Sequence, residues 1–246
     1  MQCDALCASI HASLPAEIRD LIYDKLITVG LEHHVMEARG EDGALRVSNN
    51  PLVQTSFFDP RFRMPVEPAV RRDCWRYSEY TGTLVGKEIA ERWYRTGIFN
   101  AYAEDDLLEK FLFHDVWERG VLPAVAVRHI HLHLPNIVLA PDFFESQICH
   151  NVGLLTRLLN KKANIIIKTW MLTQDGRQSF PGNMRQVVET LRILGPIIYR
   201  LRGLGYSNVR VLDRSTPLGQ NEFTHVFDQD ERVFESIFKQ VRNRRI

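Results

Sequence analysis

The stretch VRHIHLHL, residues 127–134, predicts a β-strand, because Ile130, Leu132 and Leu134 alternate with polar residues along it. A helix predicted from about Pro141 to Asn160 follows, and then the strand NIIIKTWML, residues 164–172. Two strands joined through a helix need a crossover connection, which places them parallel in one sheet. This segment therefore favours an α/β fold.

Strands and helices also alternate on both sides of this segment. Upstream, the apolar periodicity predicts helices over Leu84–Arg95 and about Asp105–Arg119, with the strand IFNAY (98–102) between them. Downstream it predicts a long helix from about Asn183 to Leu204 and the strand NVRVLD (208–213). Four strands separated by three helices predict a β–α array, as a largely parallel sheet or a short solenoid. An α+β arrangement is the alternative.

Two features at the C-terminal end qualify this array. Pro196 removes the N–H that would bond the carbonyl of Arg192, so we expect a kink in the long helix or two shorter helices. A last helix is predicted over Arg232–Val241, because apolar residues recur there at helical spacing.

The N-terminal region contains the clearest amphipathic helix, LPAEIRDLIYDKLITVG, residues 14–30. Pro15 suits the first helical position, and Gly30 is a typical residue for the helix end. The helix has one apolar face, on which residues recur at three- and four-residue steps. The residues of this face are Leu14, Ile18, Leu21, Ile22, Leu26 and Val29.

Residues 31–80 show weaker periodicity. EHHVMEAR and ALRVS predict a hairpin around Glu41, Asp42 and Gly43, and prolines at 51, 60, 65 and 68 predict extended or irregular chain after it. We therefore divide the chain into residues 1–80, with the amphipathic helix, the hairpin and a proline-containing loop, and residues 81–246, the β–α region. The two regions are expected to be able to form one compact unit.

Composition limits the classes of function. The chain has 246 residues and a formal net charge of +1, so no global charge favours nucleic acid or an anionic membrane as a partner. No apolar run approaches the roughly 20 residues that span a bilayer. The four cysteines form no CxxC pair, and residues 1–12 lack the features of a signal peptide. An intracellular protein, cytoplasmic or nuclear, without a cofactor is expected.

Three histidines of the strand VRHIHLHL are candidate metal ligands. His129, His131 and His133 share one face of a strand, and three imidazoles on one face can bind a transition metal if a further ligand is present. Asp213 is a candidate for that ligand or for a base. Because no partner set follows in the sequence, we assign no metal site and favour a strand with a polar face.

The N-terminal helix also carries a family resemblance. Leu14, Pro15, Glu17, Ile18, Arg19, Ile22 and Tyr23 match the LPxEIR-I-Y pattern that is the hallmark of a large group of fungal F-box-like proteins. VGKEIAERWYRTGIF (85–99) and VRHIHLHL (127–134) are similar to later blocks of the same group. The chain resembles these proteins over three short blocks.

The resemblance implies an adaptor. The family's first helix docks on the Skp-type adaptor of a cullin-RING ubiquitin ligase, and the β–α region presents a surface to a target protein. The resemblance would place the contact on Leu14, Pro15, Ile18, Leu21, Ile22 and Leu26. A complete F-box has two more helices directly after the first, whereas residues 31–80 predict a hairpin and a loop.

We therefore predict a non-enzymatic protein–protein interaction module with no assigned catalytic residue. Three alternatives stay open. The apolar face of the first helix could instead pack on the protein's own sheet, because amphipathicity does not identify the partner. A metal-dependent enzyme would use the three histidines. A self-contained structural or host-interaction protein would present an aromatic loop around Phe57, Phe58 and Phe62.

Overall fold

The computed structural model describes residues 2–27, 30–37, 45–48, 78–103, 106–134, 141–169, 180–213 and 221–236. The helices in these ranges are α1 (Gln2–Ser13), α2 (Ala16–Ile27), α3 (Ser78–Thr96), α4 (Leu107–Phe113), α5 (Pro123–Ala126), α6 (Pro141–Leu154) and α7 (Phe180–Gly203). The strands are β1 (Glu32–Glu37), β2 (Leu45–Ser48), β3 (Ile98–Tyr102), β4 (His129–His133), β5 (Asn164–Thr169), β6 (Val209–Asp213) and β7 (Asn221–Glu222). Residues 231–236 are also helical.

The strands form one sheet in the order β2-β1-β3-β4-β5-β6-β7. Five of them, β1, β3, β4, β5 and β6, are parallel, and the sheet begins and ends with the antiparallel strands β2 and β7. The register between β5 and β6 pairs Ile165 with Val209 and Thr169 with Asp213. The predicted α/β class with a largely parallel sheet is confirmed.

The chain forms two compact units. Unit 1 comprises Met1–Phe99 and Lys110–His129, and unit 2 comprises Asn100–Glu109 and Ile130–Ile246. In unit 1 the core is aromatic: the Trp93 ring lies 4.7 Å from His33, 4.9 Å from Phe99 and 5.2 Å from Trp117, measured between centroids. Helix α3 ends at Thr96, and Gly97 follows it against this cluster. The position requires a glycine, because a Cβ there would lie 2.9 Å from Cδ2 of the His33 ring.

The core of unit 2 is aliphatic. Strands β4, β5 and β6 follow one another in both sequence and space, so right-handed crossovers place α6 and α7 on the same face of these strands. The buried residues of α6, α7 and the strands are mainly Leu, Ile and Val. They include Ile130, Leu132, Ile148, Val152, Ile165, Ile167, Leu194, Ile198, Leu201 and Val211.

The structure corrects the helix predicted over about Asp105–Arg119. Helix α4 ends at Phe113, because the Asp115 carboxylate accepts hydrogen bonds from the backbone N–H groups of Trp117 at 3.1 Å and Val121 at 3.0 Å. A side chain that satisfies nearby backbone donors in this way competes with helix formation. The Tyr94 hydroxyl donates to the same carboxylate at 3.2 Å.

Pro196 does not divide the long helix. Helix α7 is continuous from Phe180 to Gly203 with Pro196 inside it, so the prediction of two shorter helices is wrong. Pro196 and Arg192 are both exposed, and water can bond the Arg192 carbonyl that the proline leaves without its helical N–H.

The N-terminal region is partly as predicted. The hairpin of β1 and β2 is confirmed, and its turn at 41–43 lies outside the described residues. Two features were not predicted: helix α1, which precedes the amphipathic helix, and the pairing of β1 with the parallel sheet. The amphipathic helix itself begins at Ala16 rather than at Leu14.

Candidate functional site

Helix α2 turns its charged residues toward α3. The Arg19 guanidinium donates to both carboxylate oxygens of Glu88, at 2.9 and 2.8 Å, and the Tyr23 hydroxyl donates to Glu88 Oε2 at 2.8 Å. From α1, His11 Nε2 lies 3.3 Å from Glu88 Oε1. Arg19 also donates to the backbone oxygens of His11 and Leu14, at 3.1 and 2.6 Å. Glu88 therefore joins α1, α2 and α3.

A second ion-pair cluster lies one turn further along α3. Arg92 donates to both carboxylate oxygens of Asp24, at 2.6 and 2.7 Å, and to Asp20 at 3.1 Å. Arg19 and Tyr23 contact Glu88, whereas Asp20 and Asp24, each one position further along α2, contact Arg92. We call these six residues, Arg19, Asp20, Tyr23, Asp24, Glu88 and Arg92, the charged junction.

The pKa values follow this geometry. Burial alone would raise the pKa of Glu88, but hydrogen bonds from Arg19 and Tyr23 outweigh it and hold that pKa below its usual value. The hydrogen bond from Arg92 lowers the pKa of Asp24. Burial, together with the Glu88 hydrogen bond, raises the pKa of Tyr23. The Glu88 and Asp24 carboxylates are therefore ionised at neutral pH and the Tyr23 phenol is protonated, as these hydrogen bonds require.

The opposite side of α2 is apolar and exposed. Ile18 is 44% exposed, Leu21 63%, Ile22 36% and Leu26 49%. A contiguous exposed apolar surface of this kind is a typical mark of an interaction site. We call these four residues the outward face of α2. Of the other predicted contact residues, Leu14 is half-buried and Pro15 is exposed.

The structure thus divides the LPAEIR-I-Y motif between two faces. Ile18 and Ile22 lie on the outward face, whereas Arg19 and Tyr23 belong to the charged junction. The alternative in which the apolar residues pack on the protein's own sheet fails for the outward face, which is exposed. Sequence reasoning missed the junction, because the i,i+4 spacing of Glu88 and Arg92 gives no information about a partner on another helix.

The three histidines of β4 are not gathered into a metal centre. His133 Nε2 lies 2.8 Å from Asn100 Oδ1, Lys168 Nζ lies 3.5 Å from the same oxygen, and the Tyr102 ring stacks on His133 with centroids 4.8 Å apart. His133 is therefore part of a buried polar cluster. No group of three potential metal ligands occurs in the described part of the chain.

Asp213 lies on the other face of the sheet from His133. Lys168 shares the His133 face, because both side chains contact Asn100, and the next residue, Thr169, must point the opposite way. Asp213 is in register with Thr169 and shares its face. Asp213 therefore does not supply the further ligand that the metal-dependent alternative needs beside His133.

The aromatic loop and the question of membrane-spanning helices complete the set of sequence predictions about function. Phe57, Phe58 and Phe62, the aromatic loop of the third alternative, lie outside the described residues. No helix in the described ranges has both the length and the apolar character needed to cross a membrane.

The chain matches no family model, no curated protein and no solved structure.

Proposed function

We propose that this chain is a protein–protein interaction module that docks through the outward face of α2. One observation carries the proposal: a helix whose ionic side is fixed to its neighbour leaves Ile18, Leu21, Ile22 and Leu26 exposed. An apolar helix face of this kind fits into a partner's hydrophobic groove, with residues at i, i+3, i+4 and i+8 as anchors.

The partner that we propose is a Skp-type adaptor of a cullin-RING ubiquitin ligase, with an unknown protein as target. The resemblance of residues 14–23 to the fungal F-box-like pattern supports this choice. The hairpin β1–β2 takes the place of the two helices that normally follow, but α1 and α3 lie beside α2 instead. The docking helix α2 and its two neighbours, α1 and α3, thus form a group of three helices whose connectivity differs from that of the family.

Co-expression with a fungal Skp-type adaptor, followed by size-exclusion chromatography, tests the proposal. We expect the wild-type chain to co-elute with the adaptor. The double variant Ile18→Asp/Ile22→Asp should bind roughly a hundredfold more weakly, because two apolar anchors become charged. Circular dichroism should show an unchanged helix content, since both side chains are exposed.

A matched control uses two exposed apolar residues elsewhere in unit 1. Leu122→Asp/Val125→Asp changes residues that are 44% and 51% exposed and lie on α5 or directly before it, so it should leave binding unchanged. Separate elution of the wild-type chain and the adaptor would refute the Skp-type partner. Equal binding by both double variants would refute the outward face as the contact.

A further inference from the structure

Unit 2 has a basic edge where the chain enters β5 and β6. It consists of residues 155–163, LTRLLNKKA, and residues 200–208, RLRGLGYSN, and neither segment contains Asp or Glu. Arg157, Lys162 and Arg200 are exposed there. Other arginines of this region are neutralised, since Arg202 pairs with Asp228 at 3.0 Å and Arg210 with Glu222 at 2.7 Å.

The two segments of the basic edge are fastened to each other through Tyr206. Its hydroxyl donates to the carbonyl of Leu158 and lies 3.1 Å from the Thr156 carbonyl oxygen. Lys161 Nζ donates to the Tyr206 hydroxyl at 2.8 Å and lies 4.0 Å from the centre of its ring. The adjoining backbone continues the connection, because Ile165 N–H donates to the Asn208 carbonyl at 2.8 Å. The edge is therefore held in one shape before any partner arrives, which reduces the entropy lost on binding.

Two exposed leucines accompany the cations. Leu159 is 63% exposed and Leu204 is 46% exposed, one in each segment. The only aromatic residue of the edge, Tyr206, is buried. Single-stranded nucleic acids bind to exposed aromatic rings on which bases stack, and the edge offers none. Cations flanking apolar side chains match an acidic peptide that carries its own apolar residues.

We propose that the basic edge is a docking surface for an acidic peptide segment with leucine-like anchors. The cations Arg157, Lys162 and Arg200 attract and orient the acidic groups, and Leu159 and Leu204 cover the apolar ones. This surface belongs to unit 2 and uses no residue of the outward face of α2. A failure of the docking proposed for α2 would therefore leave this proposal unaffected, and the reverse also holds.

Fluorescence anisotropy with a labelled peptide, four repeats of Glu-Glu-Leu, tests the surface on the full chain. We expect saturable binding at low salt that weakens as salt rises, because the attraction is largely between exposed charges. The peptide with Gln in place of Glu should not bind. The affinity of the triple variant Arg157→Glu/Lys162→Glu/Arg200→Glu should be at least about tenfold lower.

A second triple variant separates location from net charge. Lys25→Glu/Lys87→Glu/Arg232→Glu makes the same change in net charge with three exposed cations from elsewhere in the chain and should keep wild-type affinity to within about twofold. Leu159→Ser/Leu204→Ser should weaken binding while retaining its salt dependence. Equal losses in the two triple variants, or no binding of the acidic peptide by the folded wild-type chain, would overturn the proposal. Tighter binding of a labelled single-stranded RNA, lost in the first triple variant, would also overturn it in favour of nucleic acid.

Discussion

Helices α2 and α7 are both amphipathic, yet α7 buries its apolar side and α2 exposes most of its apolar side. Helix α7 buries Leu191, Leu194 and Ile198 and exposes Arg192 and Arg200, which is the usual arrangement. Helix α2 exposes Ile18, Leu21, Ile22 and Leu26, buries Ile27, and directs Arg19, Asp20 and Asp24 to the charged junction. The difference teaches that amphipathicity predicts a helix without stating which side is inside. The side is decided by what the neighbouring element offers, and here α3 offers Glu88 and Arg92.

Removing a buried side chain of α7 should give the largest effect. Leu194 is fully buried, so Leu194→Ala should lower the free energy of unfolding by about 2–5 kcal/mol. Urea denaturation followed by circular dichroism measures this, with the exposed Leu204→Ala on the turn after α7 as the control. A loss below about 1 kcal/mol would contradict the inward side assigned to α7.

Adding a single methyl group to α7 should come next. A Cβ on Gly195 would lie 2.3 Å from Cε1 of the Phe234 ring, so the segment that carries Phe234 must shift. We expect Gly195→Ala to lower the free energy of unfolding by about 1–3 kcal/mol, a typical cost of overpacking. Thermal denaturation can compare it with Gly203→Ala, where a Cβ meets no atom within 4 Å. Equal effects of the two substitutions would show that Phe234 does not rest on Gly195.

Neutralising the charged junction should have a smaller effect. Glu88→Gln leaves Arg19 without its carboxylate and should lower the free energy of unfolding by about 1–2 kcal/mol, since the site is only partly shielded from water. Glu91→Gln on the same helix breaks only the exposed pair with Arg95 and should cost less than about 0.5 kcal/mol. If urea denaturation gives equal losses for both, Glu88 does not hold α2.

The same carboxylate should make stability depend on pH. The pKa of Glu88 in the folded chain lies below its ordinary value of 4.5, which applies to the unfolded chain, because Arg19 and Tyr23 donate hydrogen bonds to the carboxylate. A lowered pKa stabilises the fold above the unfolded value, and this contribution is lost as pH falls through the folded pKa. The gap in melting temperature between the wild-type chain and Glu88→Gln should therefore narrow from pH 6 to about pH 3. A constant gap would show that ionisation of Glu88 does not contribute.

Much of the fold was predictable from local pattern. The strands IFNAY, VRHIHLHL and NVRVLD and the hairpin at 32–48 have period-2 patterns or turn residues that specify a strand without reference to the rest of the chain. The end of α4 was not predictable, because it depends on where the Asp115 carboxylate finds backbone donors. The predicted contact set contained the whole outward face of α2, since an apolar stripe can be recognised from spacing alone. The charged junction was missed because its partners are 65 to 72 residues apart in sequence.

The smallest expected effect tests the comparison most directly. Leu21 is 63% exposed, and Leu and Gln have similar helix propensities, so Leu21→Gln should change the free energy of unfolding by less than about 0.5 kcal/mol. The same substitution at Leu191, which is buried on α7, should cost several times more, because it places an amide in an apolar core. Urea denaturation of the two variants in parallel gives the ratio. A comparable loss at Leu21 would mean that the outward face is covered in the folded chain, and a face that the protein covers itself is not available to a partner. A negligible loss would show that Leu21 contributes nothing to folding, and the outward face of α2 would then be available to a partner.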